Sequence, residues 1–292
     1  MGGPSSVCNT EGVSTCTGVY GTQGIPAPDN APGSQTSASS WTDSCGNLWL
    51  FGTSGNDLWR YEPATNLWTW MSGANITTGQ NGTYGTLGVP DPGNVPGARA
   101  GAASWTDKSG NLWLFGGDGS DVNGIICEVN GRPCDLNDLW KYDPANNTWT
   151  WMGGSDIAQQ PGVYGTQGTP APGNVPGGRD SAVAWTDAQG NFWLFGGTGY
   201  DSQTNPQVFG DLNDLWKYDP ATGMWTWMSG SNTAEQPGTY GTLGIAAPGN
   251  VPGARNWAVG WTDPAGNLWL FGGFCIFGNP CGKFNDLWKY QP

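Results

Sequence analysis

Threonine and tryptophan alternate in Thr148-Trp149-Thr150-Trp151-Met152, a period of two that predicts a β-strand with different faces. The pattern returns at Leu67-Trp68-Thr69-Trp70-Met71 and Met224-Trp225-Thr226-Trp227-Met228. A second kind of run, Asn111-Leu112-Trp113-Leu114-Phe115, is apolar on both sides: Leu112 and Leu114 point one way, Trp113 and Phe115 the other. Such a strand is expected to be covered on both faces. It is preceded by Ala102-Ala103-Ser104-Trp105-Thr106-Asp107, and Lys108-Ser109-Gly110 supplies the turn between them. Downstream, Asp138-Leu139-Trp140-Lys141-Tyr142 leads through the turn residues Asp143-Pro144-Ala145-Asn146-Asn147 into the Trp-Thr-Trp strand. These four strands, A to D in chain order, predict one antiparallel unit with D at its outer edge.

The unit repeats. Gly46-Asn47-Leu48-Trp49-Leu50-Phe51-Gly52 returns at 110–117, 190–197 and 266–273, each copy followed by Asn-Asp-Leu-Trp-Lys/Arg-Tyr around Asp57, Asp138, Asp214 and Asp286. All of the 19 tryptophans except Trp257 occupy repeated places, so most are expected to serve the core. Self-similarity on this scale predicts stacked or radially arranged units. Four A, B and C strands can be read but only three D strands, because Asp286–Tyr290 is a C strand followed by Gln291-Pro292, while Met1-Gly2-Gly3 matches the tail of a D strand. An uncovered C strand at Asp286, Trp288 and Tyr290 invites pairing with another chain. The expectation is either assembly with further copies, including an eight-bladed dimer of half rings, or a segment of a longer assembly.

Gly-Gly after strand B, Asn-Asp-Leu-Trp, Tyr218-Asp219-Pro220-Ala221-Thr222 and the tryptophan beyond it resemble Kelch repeats. The resemblance covers nearly the whole chain. It implies an all-β fold, a β-propeller of four Kelch-like blades in which each unit is a four-stranded antiparallel sheet, the double glycine ends the second strand, and the last blade lacks its outer strand. The blades fall at about 34–72, 98–153, 178–229 and 254–292, within a single domain spanning 1–292 that opens on an N-terminal insert segment, 1–33. The units exceed the ~50 residues of a Kelch repeat because long D–A inserts begin at Gly18, Gly82, Gly162 and Gly238. The galactose-oxidase type of this family builds a copper site from histidine and tyrosine, and this chain contains His 0.

The same lack of histidine removes Ser-His-Asp and Cys-His mechanisms. No glycine-rich phosphate loop leads from a strand into a helix. Among enzymes this leaves paired carboxylates, hence glycan processing, as the alternative. A formal net charge of -13, with 10 Lys and Arg spread thinly, opposes binding to nucleic acid or an anionic membrane surface. No apolar run of ~18 residues predicts membrane insertion, and Met1-Gly2-Gly3-Pro4 does not open a signal peptide, so an export signal would have been removed. All of the 7 cysteines except Cys45 form local pairs, Cys8 with Cys16, Cys127 with Cys134 and Cys275 with Cys281. Disulfides, and with them a secreted or cell-surface location, are the expectation; a zinc site would need closer ligand pairs and usually histidine.

Antiparallel order puts the A–B and C–D turns on one side of the molecule and the B–C and D–A connections on the other. The second side carries the inserts and the variable B–C loops, where recognition on a rigid scaffold is expected. Its candidate binding residues are Ile125, Ile126, Tyr200, Phe209, Phe274, Phe277 and Phe284, for which packing within the loops is the competing reading. Tyr20, Tyr84, Tyr164 and Tyr240 recur in the inserts and could stack on sugars, but their recurrence favours fastening between blades. Arg99, Arg179 and Arg255 recur before strand A and are expected to tie loop carbonyls or carboxylates, with Gln35 weakening the tie in the first unit. Asp118, Asp121 and Asn123 resemble a calcium loop without its bidentate glutamate. Otherwise no cofactor is expected. Together these features predict a non-catalytic extracellular interaction or cell-surface structural module with a protein or glycan partner, the alternative being a carbohydrate-binding or glycan-processing propeller.

Overall fold

The computed structural model describes residues 18–52, 55–75, 79–124, 134–204, 207–278 and 281–292. Among them every regular element is a strand. Unit 1 contains β1 (Ser39–Thr42), β2 (Leu48–Phe51), β3 (Leu58–Glu62) and β4 (Leu67–Ser72), hydrogen-bonded in chain order. Unit 2 contains β5 (Arg99–Ala100), β6 (Ala103–Thr106), β7 (Leu112–Gly119), β8 (Asp135–Asp143) and β9 (Thr148–Gly153), with β5 and β6 both paired to β7. Unit 3 contains β10 (Arg179–Asp180), β11 (Val183–Thr186), β12 (Phe192–Phe195), β13 (Thr198–Thr204), β14 (Gln207–Asp211), β15 (Leu215–Asp219) and β16 (Met224–Ser229). Its main sheet runs β11-β12-β15-β16, and β10-β13-β14 form a smaller one. Unit 4 has β17 (Val259–Thr262), β18 (Leu268–Phe271) and β19 (Leu287–Tyr290) among the described residues. The arrangement is all-β and propeller-like.

The double glycine does not end strand B everywhere. Gly116 and Gly117 adopt φ of 66° and 97°, and β7 continues through them with a shift of register between Phe115 and Gly117. Glycine takes this left-handed backbone without steric penalty, so the pair bends the ladder instead of stopping it. In unit 3 the segment expected to be a variable loop is the β13–β14 hairpin, which prolongs the B and C strands with Thr198 opposite Asp211.

The aromatic cores lie between consecutive sheets. Trp41, Trp49, Phe51 and Leu58 of unit 1 pack on Leu112, Leu114, Tyr142 and Trp149 of unit 2. The same positions pair units 2 and 3, where Trp113 meets Tyr218 at 5.7 Å and Phe115 meets Trp225 at 5.3 Å. They do so again between units 3 and 4, where Trp193 meets Tyr290 at 5.2 Å. Strand-A tryptophans add a polar tie. The indoles of Trp41, Trp105 and Trp185 donate to the carbonyls of Trp113, Trp193 and Trp269 in the next sheet. No buried cluster joins unit 4 to unit 1 among the described residues.

The inserts hold the outer edges. The repeat pattern puts strand D at the outer edge of its unit, yet Gly24, Gly88 and Gly168 donate their amides to the carbonyls of Trp70, Trp151 and Trp227 at 2.8 Å each. Asn30, Asn94 and Asn174 donate to those of Trp68, Trp149 and Trp225. Each insert thus lies along strand D of the unit it precedes. The insert tyrosines fasten insert to sheet within one unit, not blade to blade as expected. Tyr84, for example, sits 4.9 Å from Trp140 and 5.2 Å from Trp151.

A buried ionic clasp fixes this arrangement. Arg99 Nη1 and Nη2 donate to the two oxygens of Asp138 at 2.6 and 2.8 Å. Its remaining donors reach the carbonyls of Gly116 and Gly97. Tyr84 and Trp140 each donate to Asp138 Oδ2 at 2.7 Å. Arg179–Asp214 and Arg255–Asp286 repeat the set with Tyr164, Trp216, Tyr240 and Trp288. Burial and the adjacent carboxylates hold the Tyr84 and Tyr164 phenols far above the ordinary tyrosine range, so both remain donors. In unit 1, where Gln35 replaces the arginine, Tyr20 and Trp59 still donate to Asp57 Oδ2. Asp57 Oδ1 is buried without a partner.

Removing one partner of a buried pair leaves an uncompensated charge, so Arg179→Ala should lower stability in urea unfolding by about 3–5 kcal/mol. Gln35→Arg should raise it by about 1–2 kcal/mol by satisfying Asp57 Oδ1. Loss of stability on Gln35→Arg would contradict the clasp.

Candidate functional site

The B–C connections place their aromatics against one another. Tyr200, on β13, is fully buried and meets Phe209, on β14, edge-on at 5.2 Å. Phe209 in turn meets Phe277 of unit 4 at 5.7 Å. Phe284 lies under the Arg255 guanidinium at 4.0 Å, and Phe274 bridges by its main chain to Asn256 and Lys283. Four of these five rings are therefore engaged with neighbouring groups, Tyr200 out of solvent altogether. The set forms a brace between the unit 3 hairpin and unit 4. Ile125, Ile126, Cys127, Cys8 and Cys16 lie outside the described residues. Cys275 and Cys281 form a disulfide, Cys134 is disulfide-bonded and Cys45 is free.

The residues of the calcium-loop expectation do not form a cage. Asp121 is buried, and its oxygens accept the amides of Asn123 and Ala158, which makes the loop a side-chain-capped turn. Asp118 instead accepts the Cys134 amide and lies opposite Asp135 on the neighbouring strand. The one cluster with metal-ligand spacing among the described residues is Asp211, Cys275 and Cys281. There the sulfurs are bridged and the carboxylate oxygens already accept four donors, from Thr198, Asn256, Ile276 and Phe277.

The homologous junction between units 2 and 3 is the electrostatic anomaly of the molecule. Asp135 stands where unit 3 has Asp211, Asp118 where it has Thr198, and Asp180 where unit 4 has Asn256. Two donors in one junction are thereby replaced by two carboxyls in the other. Asp135 is fully buried, and neither of its oxygens is reached by an N–H or hydroxyl donor. The Asp180 carboxyl is its nearby charged neighbour, and two adjacent buried carboxyls are costly to ionise together. Burial, then the nearby Asp180 and Asp118 charges, push Asp135 well above the usual carboxylate range, with Arg179 opposing. Burial likewise raises Asp118 and Asp180. A glycosidase sets two carboxylates across a pocket open to its substrate; in this pair Asp135 is sealed from solvent.

The proposed assembly edge is where the repeat pattern is incomplete. Asp286 is held by Arg255, Tyr240 and Trp288. Although burial opposes it, those hydrogen bonds keep its carboxyl well below the ordinary range. Among the described residues the outer edge of β19 has no neighbouring strand. Beside it the sheet face is bare: Trp261 is 43% and Phe271 45% exposed, whereas the equivalent Trp185 and Phe195 are 6% and 3% exposed. At the opposite end, Leu48 of unit 1 is 45% exposed where Leu112 of unit 2 is buried. Sequence reasoning identified the edge but missed the two faces, although the missing neighbour on each side is implicit in a four-unit repeat.

No protein-family model and no curated protein matches the chain. Among solved structures, one titled "Structure of YjhT" is similar at 15% identity and a TM-score of 0.49, over 94% of this chain and 68% of that one.

Asp135 retains a proton that the unfolded chain releases near its ordinary pKa, ~3.9. Its contribution is therefore present below about pH 4 and is lost as pH rises toward its folded pKa. Asp180→Asn would recreate the Asp211–Asn256 pairing. Urea unfolding across this range should show the variant more stable at neutral pH by about 1–2 kcal/mol, with a flatter pH dependence. A destabilised variant would show that the acid pair is not the strained element.

Proposed function

We propose that this chain is a non-catalytic extracellular interaction or cell-surface structural module. It is an open Kelch-type propeller of four blades, the last with three strands, that associates with copies of itself through its two end blades. The disulfide between Cys275 and Cys281 supports an oxidising location. No helix among the described residues is long and apolar enough to cross a membrane.

One observation carries this reading. The same interface is built three times inside the chain, and its two halves are left bare at the ends. Unit 4 offers Val259, Trp261, Phe271 and Leu287; unit 1 offers Leu48, with Leu50, Tyr61 and Trp68 half-covered. Each large apolar side chain gains about 1.5–3 kcal/mol on full burial, and the two sets already match wherever they meet internally. The contact is head-to-tail, so it can close a ring only if the rotation per copy allows it.

Sedimentation equilibrium should show concentration-dependent association of the wild-type chain. Trp261→Asp and Leu48→Asp should each weaken it by about 100-fold or more, two tenfold steps of ~1.4 kcal/mol. A mixture of these two variants retains one intact interface and should stop at a dimer. A wild-type monomer at every concentration would refute self-association.

A further inference from the structure

We infer that the gap beside β19 is a preformed acceptor site for an added β-strand of the pattern Trp-Xaa-Trp-Met, supplied by a partner polypeptide. The inference deepens the interaction reading above and rests on it. The occupant's chemistry is set by what fills the same place in the other three units. There, strand D pairs antiparallel with strand C, Trp140 opposite Trp151 and Tyr142 opposite Trp149, and identically in units 1 and 3. The insert then hydrogen-bonds its far side through a glycine amide and an asparagine side chain.

In unit 4 both walls of this slot stand at their usual places, with no strand between them among the described residues. The clasp of Arg255, Asp286 and Tyr240 is intact. Tyr240 meets Trp288 at 5.0 Å and 50°, as Tyr84 meets Trp140 at 4.9 Å and 49°. The insert keeps its own fold through the Thr239–Val251 bridge and the bond from Asn250 to the Ile245 carbonyl.

The ligand-facing groups are what is missing. In units 1, 2 and 3 the insert tyrosine also meets the second tryptophan of strand D edge-on, at 5.3, 5.2 and 5.2 Å. Tyr240 has no such ring and is 59% exposed, against 4% for Tyr84 and 5% for Tyr164. The first tryptophan of strand D packs on the preceding unit, Trp149 on Phe51 and Trp225 on Phe115. The corresponding Phe195 lines an open groove together with Asn250, Leu270, Trp288 and Tyr290. The groove is therefore the seat of one absent indole and Tyr240 the wall for the other. Main-chain pairing would supply affinity, and the two seats would supply specificity, as in other strand-addition complexes.

The test uses the Trp261→Asp chain, so that end-to-end association does not interfere and its failure is separable from failure of the slot. The probe is a fluorescent peptide, Gly-Met-Trp-Thr-Trp-Met-Ser-Gly, the sequence of residues 223–230. Anisotropy should show saturable one-to-one binding, and hydrogen exchange should slow at Leu287–Tyr290 and at Gly244. Replacing both peptide tryptophans by alanine should abolish binding, and Tyr240→Ala should weaken it by about tenfold or more. No saturable binding to the folded protein, equal binding of a scrambled peptide, or binding without protection of the β19 edge would each overturn the inference.

Discussion

The main sheet of every unit is apolar on both faces, and that constraint governs the rest. A strand such as β7 buries Leu112 and Leu114 toward the preceding unit and Trp113 and Phe115 toward the following one. One unit cannot satisfy its own faces. It requires a neighbour on each side, and the four described units make three such contacts and leave two half-contacts open. Arrays with nearest-neighbour cores behave in this way generally. Here the open halves are aromatic, which makes them more costly to leave in water than the polar caps that usually end such arrays.

Polar groups in the interior serve that packing. The arginine–aspartate clasps give a buried guanidinium four donated bonds, two to carbonyls and two to a carboxylate, and draw one tyrosine and one tryptophan to the same oxygen. The insert is thereby locked to the sheet it precedes. The A–B turns use the same economy. Asp107 accepts the amides of Ser109 and Asn111, the Asn111 side chain and the Trp113 indole. In unit 4 the donors on Asp263, first Asn267 and then Trp269, hold its carboxyl down at about 2. Where repeats diverge, departures from saturation appear: Asp57 without its arginine, Asp135 beside Asp180, and, among the described residues, β19 without strand D.

Much of this was legible in the sequence. The period of two in Thr148–Met152 and the two-faced run at Leu112–Phe115 specify strands D and B directly, and the count of D strands foretold the short final sheet. Recurrence of Arg99 and Tyr84 signalled fastening, but not to what, because their common partner Asp138 is brought near only by the fold. The β13–β14 hairpin was hidden by its glycines and polar tip, which read as a loop. The insert's pairing with strand D was hidden because it is made by main-chain and asparagine donors, which leave no side-chain periodicity. The acidic junction is assembled from three strands of two units, so no local pattern could announce it.

The central claim is that the two terminal sheet faces are complementary halves of one interface. Hydroxyl-radical footprinting over a concentration series reads those faces residue by residue. The account predicts that oxidation of Trp261, Phe271, Leu287 and Leu48 falls together as concentration rises, while the distant insert residue Leu87 stays equally reactive. Unchanged reactivity of all four at concentrations where the chain remains soluble would contradict it.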